Sequence, residues 1–337
     1  MQNTRQQHYL QARYLDGFLA PPDDMLWCYG RRRPEPYRAI PDKVARQRDL
    51  YQIPNAPLGE NLESFLEKVV ETPGLKALRQ LIASKKPPDL RSRIDLAKYI
   101  AFQEMRVPHT REVNREHTSQ SISHMLDRFK ETGGSSAIAQ TVALVEGIEV
   151  KRDKPTSFAR EDIEAYAKEI ADNPESFDLE TMVDLSNDMT TFYTAMRWTI
   201  LLTRPSASFI SSDCPVFRDF TEAGGDDALL RPDCRVYCPL SSRALLVMDH
   251  DIDFLELSVN EKAQGNGKTL PPTEFRTITN RGVLNFNQKI VEYSHRWCFS
   301  GIEQDWITSA MQRPSKRKKP EFFAQGELSG ARWRRPD

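Results

Sequence analysis

The chain has 337 residues, 39% hydrophobic and 28% charged, with a formal net charge of −1. That balance excludes a disordered polyelectrolyte, and it excludes bulk charge as the source of any nucleic-acid affinity, which must come from a local patch. No apolar run reaches the roughly 18 residues that a bilayer span needs, and the polar start does not read as a secretory leader. Cys28, Cys214, Cys234, Cys238 and Cys298 are odd in number and irregular in spacing, so they read as reduced thiols of a cytoplasmic protein.

Taken in chain order, "QQHYLQARYLDGF" (Gln6 to Phe18) puts a histidine and two tyrosines where most chains fray. It is expected to be an anchored strip that presents His8 to the interior. A strand at Met25–Tyr29 and a basic turn follow, then a short extended piece near Asp49–Ile53. Leu62, Phe65, Leu66, Val69 and Val70 keep helical spacing, and Pro73 and Gly74 are expected to interrupt that helix before it resumes over Leu75–Ala83. Ile94, Ala97, Ala101 and Met105 mark a further helix, closed by Pro108. Helices are predicted over 112–130, 137–145 and 159–171. The strongest helical signal is "DLSNDMTTFYTAMRWTILLT", with a stripe of Leu185, Met189, Phe192, Met196 and Ile200, stopped by Pro205. Beyond Pro205 the composition turns β-branched and aromatic: "SASFISSDCPVF", "CRVYCPLSSRALLVMD" and "FLELSV" read as strands. A helix over Glu274–Ser294 and a strand "RWCFSG" close the ordered part. Segregated helices and strands predict an α+β fold, with a helix-rich middle and a mixed or antiparallel sheet built from N-terminal and C-terminal strands. The expected organisation is one domain over 1–312, with a sub-boundary near 205, and a flexible basic tail from 313 to 337.

Six segments, in order, resemble the DUF4238 family of uncharacterised, mostly bacterial proteins: "QHYLQARYLDGF", "LWCYGR", "AFQEMRVP", "FISSDCPV", "CPLSSRALLVM" and "VLNFNQ". The family usually has proline where this chain has Gln11 and asparagine where it has Cys214. The resemblance spans most of 7–300. It supplies positions but no activity.

Those positions select His8, Gln103, Arg106 and Asp213 as candidate catalytic groups, because buried polar groups are costly unless they are paired. Ser211, Ser212, Ser241 and Asn285 are candidate binding groups, and Glu71 with Asp213 a candidate site for a divalent ion, Mg or Mn. The His8 imidazole can serve as a general acid or base, Arg106 can neutralise a phosphoryl charge, and the two carboxylates offer hard oxygen ligands. This set suits phosphodiester hydrolysis, and by analogy a nuclease effector of a bacterial defence or toxin system. The alternative is a non-catalytic ligand-binding or interaction module that recognises a nucleotide through Arg106 and the serine hydroxyls. The basic tail, 313–335, can assist nucleic-acid binding. The bland reading of each residue stays open: a packed histidine, a turn aspartate, a solvated row of glutamates. Cys234 and Cys238 depart from zinc spacing.

Overall fold

The computed structural model describes residues 6–48, 50, 58–116, 174–220, 229, 231, 233–250 and 270–315. The chain divides into two units, 1–111 with 179–317, and 112–178 with 318–337. In the second, Arg115 meets Asp178 at 3.3 Å. The expected extended piece at Asp49–Ile53, the helices over 137–145 and 159–171, the strand "FLELSV" and most of the tail lie largely or wholly outside the described residues.

In the first unit β1 (Gln6–His8) pairs antiparallel with β4 (Arg46–Arg48), and a short helix α1 (Ala12–Leu15) follows β1. The predicted strand is β2 (Leu26–Gly30). It pairs with β3 (Arg33–Ala39), which the sequence reading passes over because Pro34 and Pro36 argue against a strand. Both prolines are tolerated because β3 is the edge of its sheet, where an absent N–H breaks no central ladder.

The helix expected to break at Pro73 does not break. α2 (Leu58–Phe65) passes through a π-helical segment (Leu66–Glu71) directly into α3 (Thr72–Ser84). Proline lacks an N–H, and its ring collides with the carbonyl four residues back in a regular helix. The wider π segment just upstream accommodates it. Gly74 serves packing instead, since a Cβ there would lie 2.2 Å from Tyr99 Cβ. α4 (Leu90–Met105) starts on Asp89, whose carboxylate accepts the Ser92 N–H at 2.7 Å. Nearly every residue from Leu96 to Val107 is buried, so this helix runs through the core instead of lying on it. Pro108 begins the next helix, α5 (residues 108–116), a favoured first position for proline.

The long predicted helix after Asp184 ends early. α6 (Pro174–Ala195) stops, and β5 (Arg197–Leu202) takes "RWTILL" into a sheet. The stripe named from sequence is partly misplaced: Leu185 and Phe192 are exposed, whereas Met182, Ser186, Met189 and Tyr193 are buried. Arg93, itself buried, ends the helix by donating to the carbonyls of Thr194 and Met196 and lies 4.2 Å over the Trp198 ring. Burial lowers its pKa to about 10. Two strands, β6 (Ser211–Ser212) and β7 (Phe217–Phe220), come from "SASFISSDCPVF" and its continuation. The run after Cys234 is a hairpin, β8 (Cys234–Ser241) with β9 (Ala244–Asp249). The expected helix from Glu274 gives up its first turn to β10 (Thr273–Thr277). α7 (Asn280–Tyr293) starts on a Thr279 cap, then come β11 (Trp297–Ser300) and α8 (Asp305–Met311). Beta-branched and aromatic residues fill both reassigned segments, and pairing with neighbours outweighs their marginal helical spacing.

The fold is α+β. A mixed sheet has the order β10-β5-β9-β8-β7, with β10 and β5 parallel. An antiparallel sheet, β3-β2-β11-β6, joins N-terminal to C-terminal strands. Trp198, Ile200, Leu246 and Met248 share the main core with Leu78, Leu96, Ile100 and Tyr193, and Leu201, Leu245, Phe217 and Tyr237 share a second core with Val283 and Ile290 of α7. Each fully buried side chain of this size contributes about 1.5–3 kcal/mol of transfer free energy.

Candidate functional site

Asp213 follows β6, and its own N–H still bonds Trp297 O at 2.9 Å. Its carboxylate turns back to accept two backbone amides, from His295 at 3.0 Å and Arg296 at 2.7 Å. It thereby fixes the connection between α7 and β11. Arg31 braces the same connection, with its guanidinium donating to the Ser294 hydroxyl at 3.1 Å and to the Val291 carbonyl.

On that fixed connection stands a pair of imidazoles. The His295 ring stacks on His109 with centroids 4.4 Å apart and planes within 13°. Arg296 Nε donates to His295 Nε2 at 3.0 Å, so that nitrogen is the lone-pair side of the ring. Both histidines are half-buried and Arg296 is exposed. Two imidazoles, a guanidinium and a nearby carboxylate thus gather at one place.

The N-terminal strip reaches this place with Tyr9, not His8. Tyr9 lies near Asp213, Cys214 and Arg296; burial raises its phenol pKa well above 10, and Asp213 pushes it further. His8 Nε2 instead meets Asp42 O at 3.1 Å. The strip is anchored by Tyr14, whose hydroxyl donates to Pro239 O at 2.7 Å and lies 3.1 Å from Ser211 Oγ, tying α1 to both sheets.

Glu71, Gln103 and Arg106 do come together, inside the core. Arg106 is 1% exposed, pairs with Glu71, and donates to Gln103 Oε1 at 2.8 Å. This network sits where α4 ends, three residues before His109. A second network on the same helix was not anticipated from sequence. Glu104 accepts from Arg218 at 3.0 Å and from the Tyr193 hydroxyl. Burial alone would lower the Arg218 pKa, but the Glu104 charge raises it above its ordinary value.

The remaining candidates hold local structure. Ser212 Oγ accepts the Cys214 N–H at 3.2 Å, and Ser241 Oγ accepts the Arg243 N–H at 3.1 Å in the β8–β9 turn. Asn285 is exposed on α7. The buried asparagine is Asn287, whose side chain accepts from Ile210 N at 3.2 Å and donates to Ser208 O at 2.9 Å. All five cysteines are free thiols and buried, and burial pushes the thiols of Cys28 and Cys298 up to about 12. Among the described residues, no group of three or more His, Cys, Asp or Glu side chains is gathered to hold a metal ion. Glu71 and Asp213 each engage the partners given above.

His109 and His295 are a pair that the sequence reading does not single out. Each borders a segment singled out from sequence, "AFQEMRVP" before one and "RWCFSG" after the other, and the chain has only 6 histidines. A gap of 186 positions hid their contact.

The architecture is that of an α+β protein whose buried polar residues frame a paired-imidazole cluster. The family model described as "Protein of unknown function (DUF4238)" matches residues 6–304, and the chain belongs to that family. Comparison with curated proteins and with solved structures found no match. Among the described residues no helix is long and apolar enough to cross a membrane.

Proposed function

We propose that the protein is a phosphodiester hydrolase acting on RNA, with His109 and His295 as its proton-transfer groups. The stack of the two rings, held by Asp213 through the backbone of His295, carries the reading. One imidazole takes the proton of an RNA 2′-hydroxyl. The 2′-oxygen forms a bond to phosphorus, and the bond to the 5′-oxygen breaks as the other imidazole protonates it. This gives a 2′,3′-cyclic phosphate and a free 5′-hydroxyl; water then attacks the cyclic phosphorus, one imidazole taking its proton and the other protonating the departing 2′-oxygen, to leave a 3′-phosphate. Arg296, exposed and one residue from His295, leaves the imidazole to meet the phosphate, where a guanidinium stabilises growing charge. Asp213 is then a positioning residue, and Arg106, Gln103 and Glu71 hold the approach to His109. The chemistry draws on no ion at Glu71 and Asp213. A cytoplasmic setting fits five cysteines held outside disulfides, and an effector role in bacterial defence is an extension of the nuclease reading.

The test is cleavage of RNA and DNA oligonucleotides in EDTA and in Mg or Mn. RNA is cut in EDTA and DNA is not. His109→Ala and His295→Ala each lose about 100-fold or more, the usual worth of a positioned acid or base, while His8→Ala keeps its activity. Binding of RNA with no cleavage under any condition defeats the hydrolase and leaves the recognition module.

A further inference from the structure

The mixed sheet carries a concavity of about 290 Å³ whose lining does not include the imidazole pair. Strand alternation builds it. Arg197, Thr199 and Leu201 of β5, Asp249 and Val247 of β9, and Arg235 and Tyr237 of β8 share one face by register, joined by Arg276 of β10 and by Phe286 of α7. Its three kinds of group are chemically distinct. Tyr237 and Phe286 form an aromatic wall, their rings 5.9 Å apart, and Tyr237 is backed by Phe217, stacked at 5.1 Å. Asp249 is held two-pronged by Arg197, at 2.8 and 3.0 Å, which fixes its carboxylate and leaves lone pairs over. Arg276 is paired along its own strand with Glu274, and its side chain remains 65% exposed. Arg235 is exposed, and among the described residues it forms no ion pair: its side chain lies beside the Tyr237 hydroxyl, and the two carboxylates opposite it in register, Asp219 of β7 and Asp249 of β9, are taken by Lys289 and Arg197.

We infer that this hollow binds a nucleoside monophosphate, with the base on Tyr237 and Phe286, a sugar hydroxyl on Asp249 and the phosphate on Arg235 and Arg276. The hollow lies at the small end of the range for ligand sites, about 300–1,000 Å³, a fit for one nucleotide and not for a strand. Charge argues the same way: the two carboxylates leave the three guanidiniums one positive charge in excess, which favours a single phosphate, about −1.5 to −2 at neutral pH, and is too little for a polyanion. Aromatic faces accept any base, so discrimination among bases is modest. The site is independent of the imidazole pair, and occupancy there does not require turnover.

Calorimetric titration of the full chain with AMP, GMP, CMP and UMP tests it, with adenosine, ribose 5-phosphate and inorganic phosphate as partial ligands. At least one mononucleotide binds one to one, and each partial ligand binds about tenfold or more weakly, about 1.4 kcal/mol. Arg235→Gln and Arg276→Gln, both on exposed side chains, each weaken binding by about tenfold, which keeps them within the range of a charge-assisted phosphate contact. His295→Ala leaves the titration unchanged, which separates this site from the proposed cleavage site. No saturable heat with any of the four mononucleotides, equal binding by the Arg235→Gln protein, or binding confined to oligonucleotides overturns the assignment.

Discussion

The two ion networks along α4 and the histidine pair beyond its end use similar polar chemistry under opposite exposure to water. Glu71–Gln103–Arg106 and Glu104–Arg218–Tyr193 are closed, with a buried charge in each, Arg106 or Glu104, meeting a partly buried opposite charge at the core edge. His109, His295 and Arg296 are half-buried or exposed, and their guanidinium can change partner. A buried charge with a fixed partner holds structure, because releasing it costs more than any ligand returns. A group that reacts has to reach its substrate. On the proposed reading, polar residues in and beside the family-like segments divide into scaffold and site according to access to water. On that reading, Arg106 and Asp213 fall on the scaffold side, and the histidines beside them on the site side.

The largest effect expected from breaking this division is in the closed networks. Arg106→Ala leaves Glu71 and Gln103 facing each other at the core edge and lowers unfolding free energy by about 3–5 kcal/mol, read by urea denaturation. A cost below about 1 kcal/mol would show that the network is open to water and that the contrast fails. Next comes Asp213→Ala, which strips the acceptor from two amides and costs about 3 kcal/mol, from the range for hydrogen bonds to charged groups. Asp213→Asn keeps one acceptor oxygen and recovers part of both stability and turnover. A catalytic carboxylate would instead give a folded, inactive asparagine variant.

The smallest effect lies at a half-exposed pair between the two extremes. Asp219 is pressed upward by burial, but Lys289 and the Tyr293 hydroxyl outweigh that and hold its pKa below the ordinary 3.8. Its folded pKa lies below its unfolded one, so its contribution is fully present above pH 3.8 and is lost as pH falls through the lower folded value. Asp219→Asn is expected to cost about 1 kcal/mol at pH 7, the upper end for an exposed pair. Thermal melts should show the gap between variant and parent closing below pH 4.

Much of the fold was legible in the sequence wherever local pattern and tertiary context agree. The strand at Leu26–Gly30, the strand at Trp297–Ser300 and the α+β segregation all follow from composition and alternation. Errors fell where two signals compete. "RWTILL" keeps helical spacing with the residues before it, yet its side chains are those of a strand and the sheet claims them. Pro73 reads as a break because a π segment cannot be seen from residue types. The motifs lead to Asp213 and Arg106, and the imidazoles of the proposed site lie a few residues from segments they mark. The His8 ring turns to the Asp42 carbonyl, and Tyr9, just past the end of β1, is the residue that lies beside Asp213.

The most direct test is the pH dependence of kcat/KM for cleavage of an RNA dinucleotide in EDTA, compared among the parent, His109→Ala and His295→Ala. The expected parent profile is a bell with one limb for each imidazole, and each substitution removes one limb and most of the rate. A parent protein that never cleaves RNA, or a bell that survives both substitutions, contradicts the assignment of the paired histidines as the reacting groups.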